Sequence, residues 1–241
     1  MTKTAASVCG LLLGLAGTSA AAAQELSMRL GAEPGTSLLA GEPPPAARQG
    51  QAVSSIALLA RFTAPPDGEI DSGTDYSDIM DQGIGAVLEF DHLLELPGDL
   101  HLGPYVSVGF DVFSGEEVTS GGVTVNADDF RLITAIVGGK LGHRPPEGVF
   151  LDGRLGVGVV HYLSTDADTT IGLATGEVEL VETDTQVIGE IGARVGYATS
   201  SFFVQLGVVG RIQGGPDGGD LDLNGDTLVQ YGADVGFGLR F

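Results

Sequence analysis

The sequence contains no tryptophan, a single cysteine and few basic residues for its length. Its 241 residues include 32 acidic and 11 basic side chains, which gives a formal net charge of −21. A chain this negative repels nucleic acid and anionic lipid headgroups, so no nucleic-acid partner is expected. Cys9 is the one cysteine, which excludes an internal disulfide.

Long apolar runs are also missing after the first residues. No later segment approaches the ~18 uninterrupted apolar residues of a transmembrane helix. If the mature chain lies in a membrane, it must cross as a closed sheet, because only helices and closed barrels satisfy every backbone group in lipid.

The first 52 residues predict two short segments outside the main fold. Residues 1–23 are typical of a cleaved secretory signal, with Lys3 as its charge, an apolar core at 8–15 and a cleavage site after Ala23. Residues 24–52 contain three consecutive prolines, which a central strand does not accept. We expect a periplasmic lead-in here, with a short extra strand or a plug as the alternative.

Residues 53–241 alternate apolar with small or polar side chains in eight segments, which is the period of β-strands. The predicted strands are 54–62, 83–91, 100–113, 129–141, 149–161, 186–197, 202–212 and 228–241. Long and short connections alternate between them, as in bacterial outer-membrane barrels. The sequence therefore predicts an all-β fold, an eight-stranded antiparallel up-and-down transmembrane β-barrel. Ten strands stay open if residues 24–35 and part of a loop join the wall.

The last strand has a recognisable pattern. Its alternating apolar set includes Tyr231, Phe237, Leu239 and the terminal Phe241. This resembles the closing strand that the barrel-assembly machinery recognises in outer-membrane barrels. Over residues 54–241 the chain resembles the OmpA transmembrane domain and OmpX. The resemblance implies a Gram-negative outer-membrane location, contact with lipid, and aromatic girdles formed without tryptophan by Phe90, Tyr197, Phe202, Phe237 and Phe241.

One face of the predicted strands carries charges of both signs, and the other face carries almost none. We expect the charged face to point inward, because a charge facing lipid costs roughly 2–4 kcal/mol at the midplane. Confined charges must pair, so we predict a network that plugs the bore. Its members are Arg61, Glu89, Asp91, Asp111, Asp152, Arg154, Glu190, Arg194, Arg211 and Arg240. Two combinations, Asp152 with Arg154 and Glu190 with Arg194, share a face on one strand. A soluble lipocalin-like barrel, with the apolar face inside, is the alternative.

The sequence offers little chemistry beyond this. Residues 220–226 match the first half of a calcium loop at Asp220, Asp222, Asn224 and Asp226, but the twelfth position is Tyr231 rather than Glu. His161 and Ser164 have the wrong spacing for the His-x-Ser pair of barrel deacylases. We therefore expect no enzyme and no cofactor. A structural or surface-interaction role follows, with 71–81, 114–126 and 165–185 as contact loops. A protruding hairpin around residues 174–176 is an alternative for the loop 164–185. A small cation-preferring porin is the alternative.

Overall fold

The computed structural model describes residues 52–71, 74–120, 122–171, 174–216 and 227–241. These residues form fourteen strands and one turn of 3-10 helix, Tyr76–Asp78. The strands are β1 Ala52–Thr63, β2 Glu69–Asp71, β3 Thr74–Asp75, β4 Met80–Leu96, β5 Leu100–Gly115, β6 Glu117–Ser120, β7 Val123–Ala127, β8 Phe130–His143, β9 Gly148–Tyr162, β10 Thr165–Ile171, β11 Ala174–Val181, β12 Asp184–Ala198, β13 Phe202–Gly214 and β14 Thr227–Arg240.

Eight of these strands close into a barrel in the order β1-β14-β13-β12-β9-β8-β5-β4. All neighbours are antiparallel, and β14 pairs with β1 to complete the ring, for example Leu58 with Phe237. The predicted eight-stranded up-and-down barrel is therefore confirmed. Most observed strands are longer than predicted, because the pairing continues into segments whose composition is typical of loops.

The barrel has two unlike ends. At the turn end, short connections join β4 to β5, β8 to β9 and β12 to β13. At the loop end lie the long connections, which include β2, β3, β6, β7, β10 and β11. Among the described residues, no helix is long and apolar enough to cross a membrane.

The outer wall of the barrel is apolar. On β13, the outward side chains from Phe202 to Ile212 are apolar or glycine, and each apolar one is more than half exposed. Ten residue steps rise roughly 33 Å along a strand, and a tilt of about 40° reduces that to roughly 25 Å. This is about the height of the apolar band of outer-membrane barrels. The five predicted girdle aromatics all face outward, and Phe62, Phe110 and Tyr231 form a second outward set nearer the loop end.

The predicted contact loop 114–126 is largely strand, which corrects the loop assignment, and the segment 165–185 forms a hairpin, the alternative predicted for it. They form two hairpins that join into one four-stranded sheet in the order β11-β10-β7-β6, here called the outer sheet. Its inward face carries Val118, Val125, Ala127, Ala167 and Val178, which pack on a buried apolar core. That core fills the loop end of the bore with side chains such as Phe113, Phe130, Leu132 and Tyr162. Each segment buries one apolar face on this core, which is why the segments pair as strands instead of remaining open loops.

Candidate functional site

A layer of charged side chains lies inside the middle of the barrel. The structure brings together nine of the ten predicted residues, all 5% exposed or less and each in at least one ion pair: Arg61, Glu89, Asp91, Asp111, Asp152, Arg154, Glu190, Arg194 and Arg211. They come from β1, β4, β5, β9, β12 and β13. Side-chain alternation places them inward on every strand, because inward and outward residues alternate strictly in a barrel wall.

Glu89 on β4 is one centre of this ionic layer. Its carboxylate oxygens lie 2.5 Å from Lys140 Nζ, 2.5 Å from Arg194 Nη1 and 2.6 Å from Arg154 Nη1. The neighbouring Asp91 accepts hydrogen bonds from Lys140 Nζ at 2.6 Å and from Ser55 Oγ at 2.5 Å. Such charge-assisted bonds are the strong ones in a dry interior.

A second centre is Asp234 on β14, which the sequence analysis did not select. Arg61 Nε donates to it at 2.8 Å, and Arg154 Nη2 and Arg194 Nη2 donate at 3.0 Å. Arg154 on β9 and Arg194 on β12 therefore each reach across the bore to both Glu89 on β4 and Asp234 on β14. This connection ties strands on opposite sides of the barrel to one another.

The third part of the layer lies nearer the loop end. Arg211 bridges Glu190 and Asp111 at 3.1 Å each, and Arg61 approaches both of these carboxylates at 3.8 Å. Tyr105 donates to Glu190 at 3.4 Å. Neither same-strand combination pairs: Asp152 binds Arg144, and Arg194 binds Glu89 and Asp234. The long Arg side chains reach across the bore to carboxylates of other strands.

Arg240 does not belong to the ion-pair network, which corrects its assignment. Within the described chain it forms no ion pair, and Nη1 donates only to the carbonyl oxygens of Pro145 and Pro146, at 3.3 and 3.4 Å. Its guanidinium carbon lies 5.7 Å from the ring centres of both Phe150 and Phe203. The reason is position: Arg240 is the last residue of β14 and lies beyond the carboxylate layer.

Arg144, in the turn before β9, contacts the same two rings, Phe150 and Phe203. It lies 5.1 Å from the ring centre of Phe150 and forms a bidentate ion pair with Asp152. Burial alone would lower the pKa of Arg144, but the hydrogen bonds to Asp152 and the charges of Asp91 and Asp152 outweigh it and raise the pKa. The side chain stays cationic at the turn end of the network.

Sequence reasoning missed Lys140, Arg144 and Asp234. Asp234 has the same parity as Arg240 on the closing strand, so a stricter use of alternation finds it. Lys140 lies on β8, whose residues are apolar at both parities, so its direction is ambiguous in the sequence. Arg144 precedes two prolines in a turn, and nothing in the local pattern directs it into the bore.

Side chains fill the loop end and the middle of the bore within the described residues. Beside the apolar core at the loop end, the space lined by Phe113, Phe130, Tyr162 and Leu228 measures about 10 Å³, which is barely enough for one water. The ionic layer lies on the turn-end side of this apolar core. A recess of about 360 Å³ lies at the turn end and is bordered by Arg144 and Arg240.

The outward face of the outer sheet is acidic. One row crosses all four strands as Glu117, Asn126, Asp168 and Glu177, paired in register. The adjacent row is Thr119, Thr124, Thr170 and Thr175. Asp166 and Glu179 pair on the other side of the acidic row. Like charges directly opposite one another weaken a sheet, so these acidic side chains lower the stability of the sheet that carries them.

Other predicted sites have mixed outcomes. Tyr231, Phe237, Leu239 and Phe241 all point outward and are more than half exposed. His161 contacts Thr185 Oγ1 at 2.8 Å and is not paired with Ser164. The calcium candidate, residues 220–226, lies outside the described residues, as do the predicted signal and residues 24–51. Among described residues, no group of three or more His, Cys, Asp or Glu could hold a metal ion.

The sequence matches no protein-family model and no curated protein. Several solved structures are similar. Ail of Yersinia pestis is 16% identical, covers 80% of this chain and 100% of its own, and has a TM-score of 0.39. OprG of Pseudomonas aeruginosa is 13% identical, with 80% and 97% covered and a TM-score of 0.46. The outer membrane protease OmpT of Escherichia coli is 11% identical, with 83% and 99% covered and a TM-score of 0.40.

At these identities the likeness concerns the fold alone, and the TM-scores are too low to support an inference about activity or partners. The architecture rests on the chain itself: a closed eight-stranded barrel, an apolar outer wall and a charged, filled bore. This chain has the architecture of a small outer-membrane β-barrel.

Proposed function

We propose that the protein is an integral outer-membrane barrel with a structural or surface-interaction role, whose bore is closed and whose outer sheet is the functional surface. The observation that carries this proposal is the strict division of the wall. Phe237, Leu206 and Val157 are 58%, 56% and 63% exposed, whereas Arg154 and Arg194 are 5% and 2% exposed.

In water this arrangement is unfavourable twice over. An apolar wall on all sides of a barrel exposes far more contiguous apolar surface than soluble monomers tolerate. Burying the interior charges costs desolvation free energy, which only pairing offsets. In lipid the exposure of the apolar wall to water is removed, because that wall then contacts hydrocarbon. These terms favour a membrane barrel over the soluble lipocalin-like alternative.

A porin role fits the bore poorly. Conduction needs a continuous hydrated path, and the described residues fill the centre with ion pairs and the loop end with apolar side chains. We propose no enzymatic role: two hydroxyl–histidine contacts of the described chain, Ser54 Oγ with His92 Nδ1 and Thr185 Oγ1 with His161 Nδ1, are each 2.8 Å long, but both are exposed rather than enclosed in a site. We propose that the terminal Phe241 and its alternating neighbours serve in assembly, and that a signal is cleaved near Ala23.

The outer sheet supports a surface-interaction role through its two faces. Its apolar face packs on the barrel mouth, which holds the sheet on a rigid base. Its other face presents Glu117, Asp168 and Glu177 in one straight row. Segments 114–129 and 163–185 contain no Lys or Arg. A basic partner fits this surface, and a second copy of the same face does not.

The experiment combines conduction and binding in refolded protein in lipid vesicles and planar bilayers. We expect only rare, small current flickers, and salt-sensitive binding of an octalysine peptide. Neutralising four sheet residues, Asp166→Asn, Asp168→Asn, Glu177→Gln and Glu179→Gln, should abolish that binding. The matched control neutralises the turn-end acids Glu95, Asp99 and Glu147 and should leave it unchanged. Stable conductance, or binding that ignores the sheet variant, would contradict the proposal.

A further inference from the structure

The turn-end recess is not accounted for by a plugged barrel. It measures about 360 Å³, which lies within the range of small-molecule sites. Its lining includes Glu95, Asp99, His101, Arg144, Ser200 and Arg240. All three short turns contribute to this lining. His101 and Arg144 are buried at its inner side, and Asp99 and Ser200 are exposed at its rim.

One wall of the recess carries a cation without a counter-ion. Arg240 has no carboxylate partner in the described chain, and its Nε and Nη2 have no hydrogen-bond acceptor. Among the described residues its only acceptors are two proline carbonyls at 3.3 and 3.4 Å, beyond the usual N–H···O range. Nε and Nη2 form the edge of a guanidinium that a carboxylate engages with two parallel bonds.

The neighbouring Arg144 does not relieve Arg240. Its charge is taken up by Asp152 and Asp91, and its own Nη1 has no acceptor. Two guanidinium groups therefore lie against the same rings, Phe150 and Phe203, with free donors on both. An added acceptor at this place satisfies donors that the chain leaves open.

The recess also carries anions. Glu95 ends the β4 side of the first turn, and Asp99 lies in that turn with a φ of 56°. Neither forms an ion pair within the described chain. Glu95 and Asp99 repel a simple anion, and Arg240 repels a simple cation. A ligand with both charges can place each one beside a side chain of opposite charge.

We propose that the turn-end recess binds a small zwitterion of dipeptide size, with its carboxylate at Arg240 and its ammonium group at Glu95 and Asp99. In the structure, Nε and Nη2 of Arg240 are buried. Binding at Arg240 therefore requires the guanidinium to turn from the Phe150–Phe203 pair toward the recess when the carboxylate enters.

The test uses isotope-labelled full-length mature protein in detergent micelles, followed by NMR. The probe is alanyl-alanine, compared with its C-terminal amide, which lacks the carboxylate, and its N-acetyl form, which lacks the ammonium group. We expect saturable shifts of the backbone amides of Asp99, Arg144 and Ser200 with alanyl-alanine. The amide should bind at least about tenfold more weakly, because it cannot make a charge-assisted bidentate contact.

Variants locate the site independently of the ligand series. Arg240→Gln should abolish the saturable shifts, and Arg240→Lys should retain them weakly. Arg131→Gln, which changes an exposed arginine at the loop end, is the matched control and should bind as the parent does. Circular dichroism and heat-dependent gel mobility report whether each variant folds; if Arg240→Gln does not, the comparison of dipeptide and amide decides. No saturable shift at the turn end, or equal binding of the amide, overturns the proposal. Neither result depends on conduction or on the outer sheet.

Discussion

At the scale of the residue, the barrel interior is a set of charges that share partners. Glu89 has three cationic partners, Arg154 contacts three carboxylates and Arg194 contacts two. A buried charge without its partner is more costly than the pair is favourable. Single changes inside the layer should therefore have larger effects than the number of lost bonds suggests.

Glu89→Gln should destabilise the barrel by about 3–5 kcal/mol, since it leaves Lys140, Arg154 and Arg194 short of one buried anion. Urea unfolding of the refolded protein in lipid vesicles, followed by circular dichroism, measures the change. Glu147→Gln alters an exposed turn residue and should stay within about 0.5 kcal/mol of the parent. Equal midpoints for the two variants would show that the ion pairs add no stability.

Interior glycines make space for the long cations. A Cβ atom at Gly207 would collide with the side chain of Arg194, whereas one at Gly139, on the outer wall, would meet nothing within 4 Å. Gly207→Ala should cost about 1–3 kcal/mol, as overpacking of a filled interior does. Gly139→Ala is the matched control and should unfold at the parent's urea concentration. If both variants unfold together, Arg194 is not confined as described.

At the scale of the element, the joining of two hairpins into the outer sheet is the main feature that the sequence did not predict. Segments 114–127 and 164–185 are rich in Gly, Ser and Thr, which favour loops. A period-two signal was present at Val123, Val125 and Ala127, but it spans few residues and its partner strand is far along the chain. Pairing of β7 with β10 is a tertiary event, so local patterns do not reveal it.

Hydrogen exchange tests whether the outer sheet is an ordered element. Amides of β7 and β10, the two central strands, should exchange slowly, because each is paired on both sides. Amides at exposed positions of the edge strands β6 and β11 should exchange faster. Exchange of Val125 and Ala167 at the rate of an unstructured peptide would contradict the sheet.

At the scale of the whole molecule, the sequence was sufficient for the barrel and only partly sufficient for its interior. Strand number and the direction of each face follow from alternation, which is a local property. Partner choice does not: Arg154 reaches Glu89 and Asp234 across the bore, and no spacing along β9 encodes that. The departure of Arg240 from the network depends on where β14 ends relative to the carboxylates, which only the register shows.

The central claim is that the apolar face contacts lipid and the charged face fills the bore. Site-directed spin labelling in lipid bilayers tests it most directly, with Val157→Cys and Leu206→Cys in protein expressed from residue 24, which lacks Cys9, and Asp128→Cys as the water-exposed reference. We predict that labels at 157 and 206 collide readily with oxygen and hardly with a water-soluble nickel chelate, and that the label at 128 does the reverse. Labels at 157 and 206 that are shielded from oxygen and immobilised, as inside a packed core, would contradict the account.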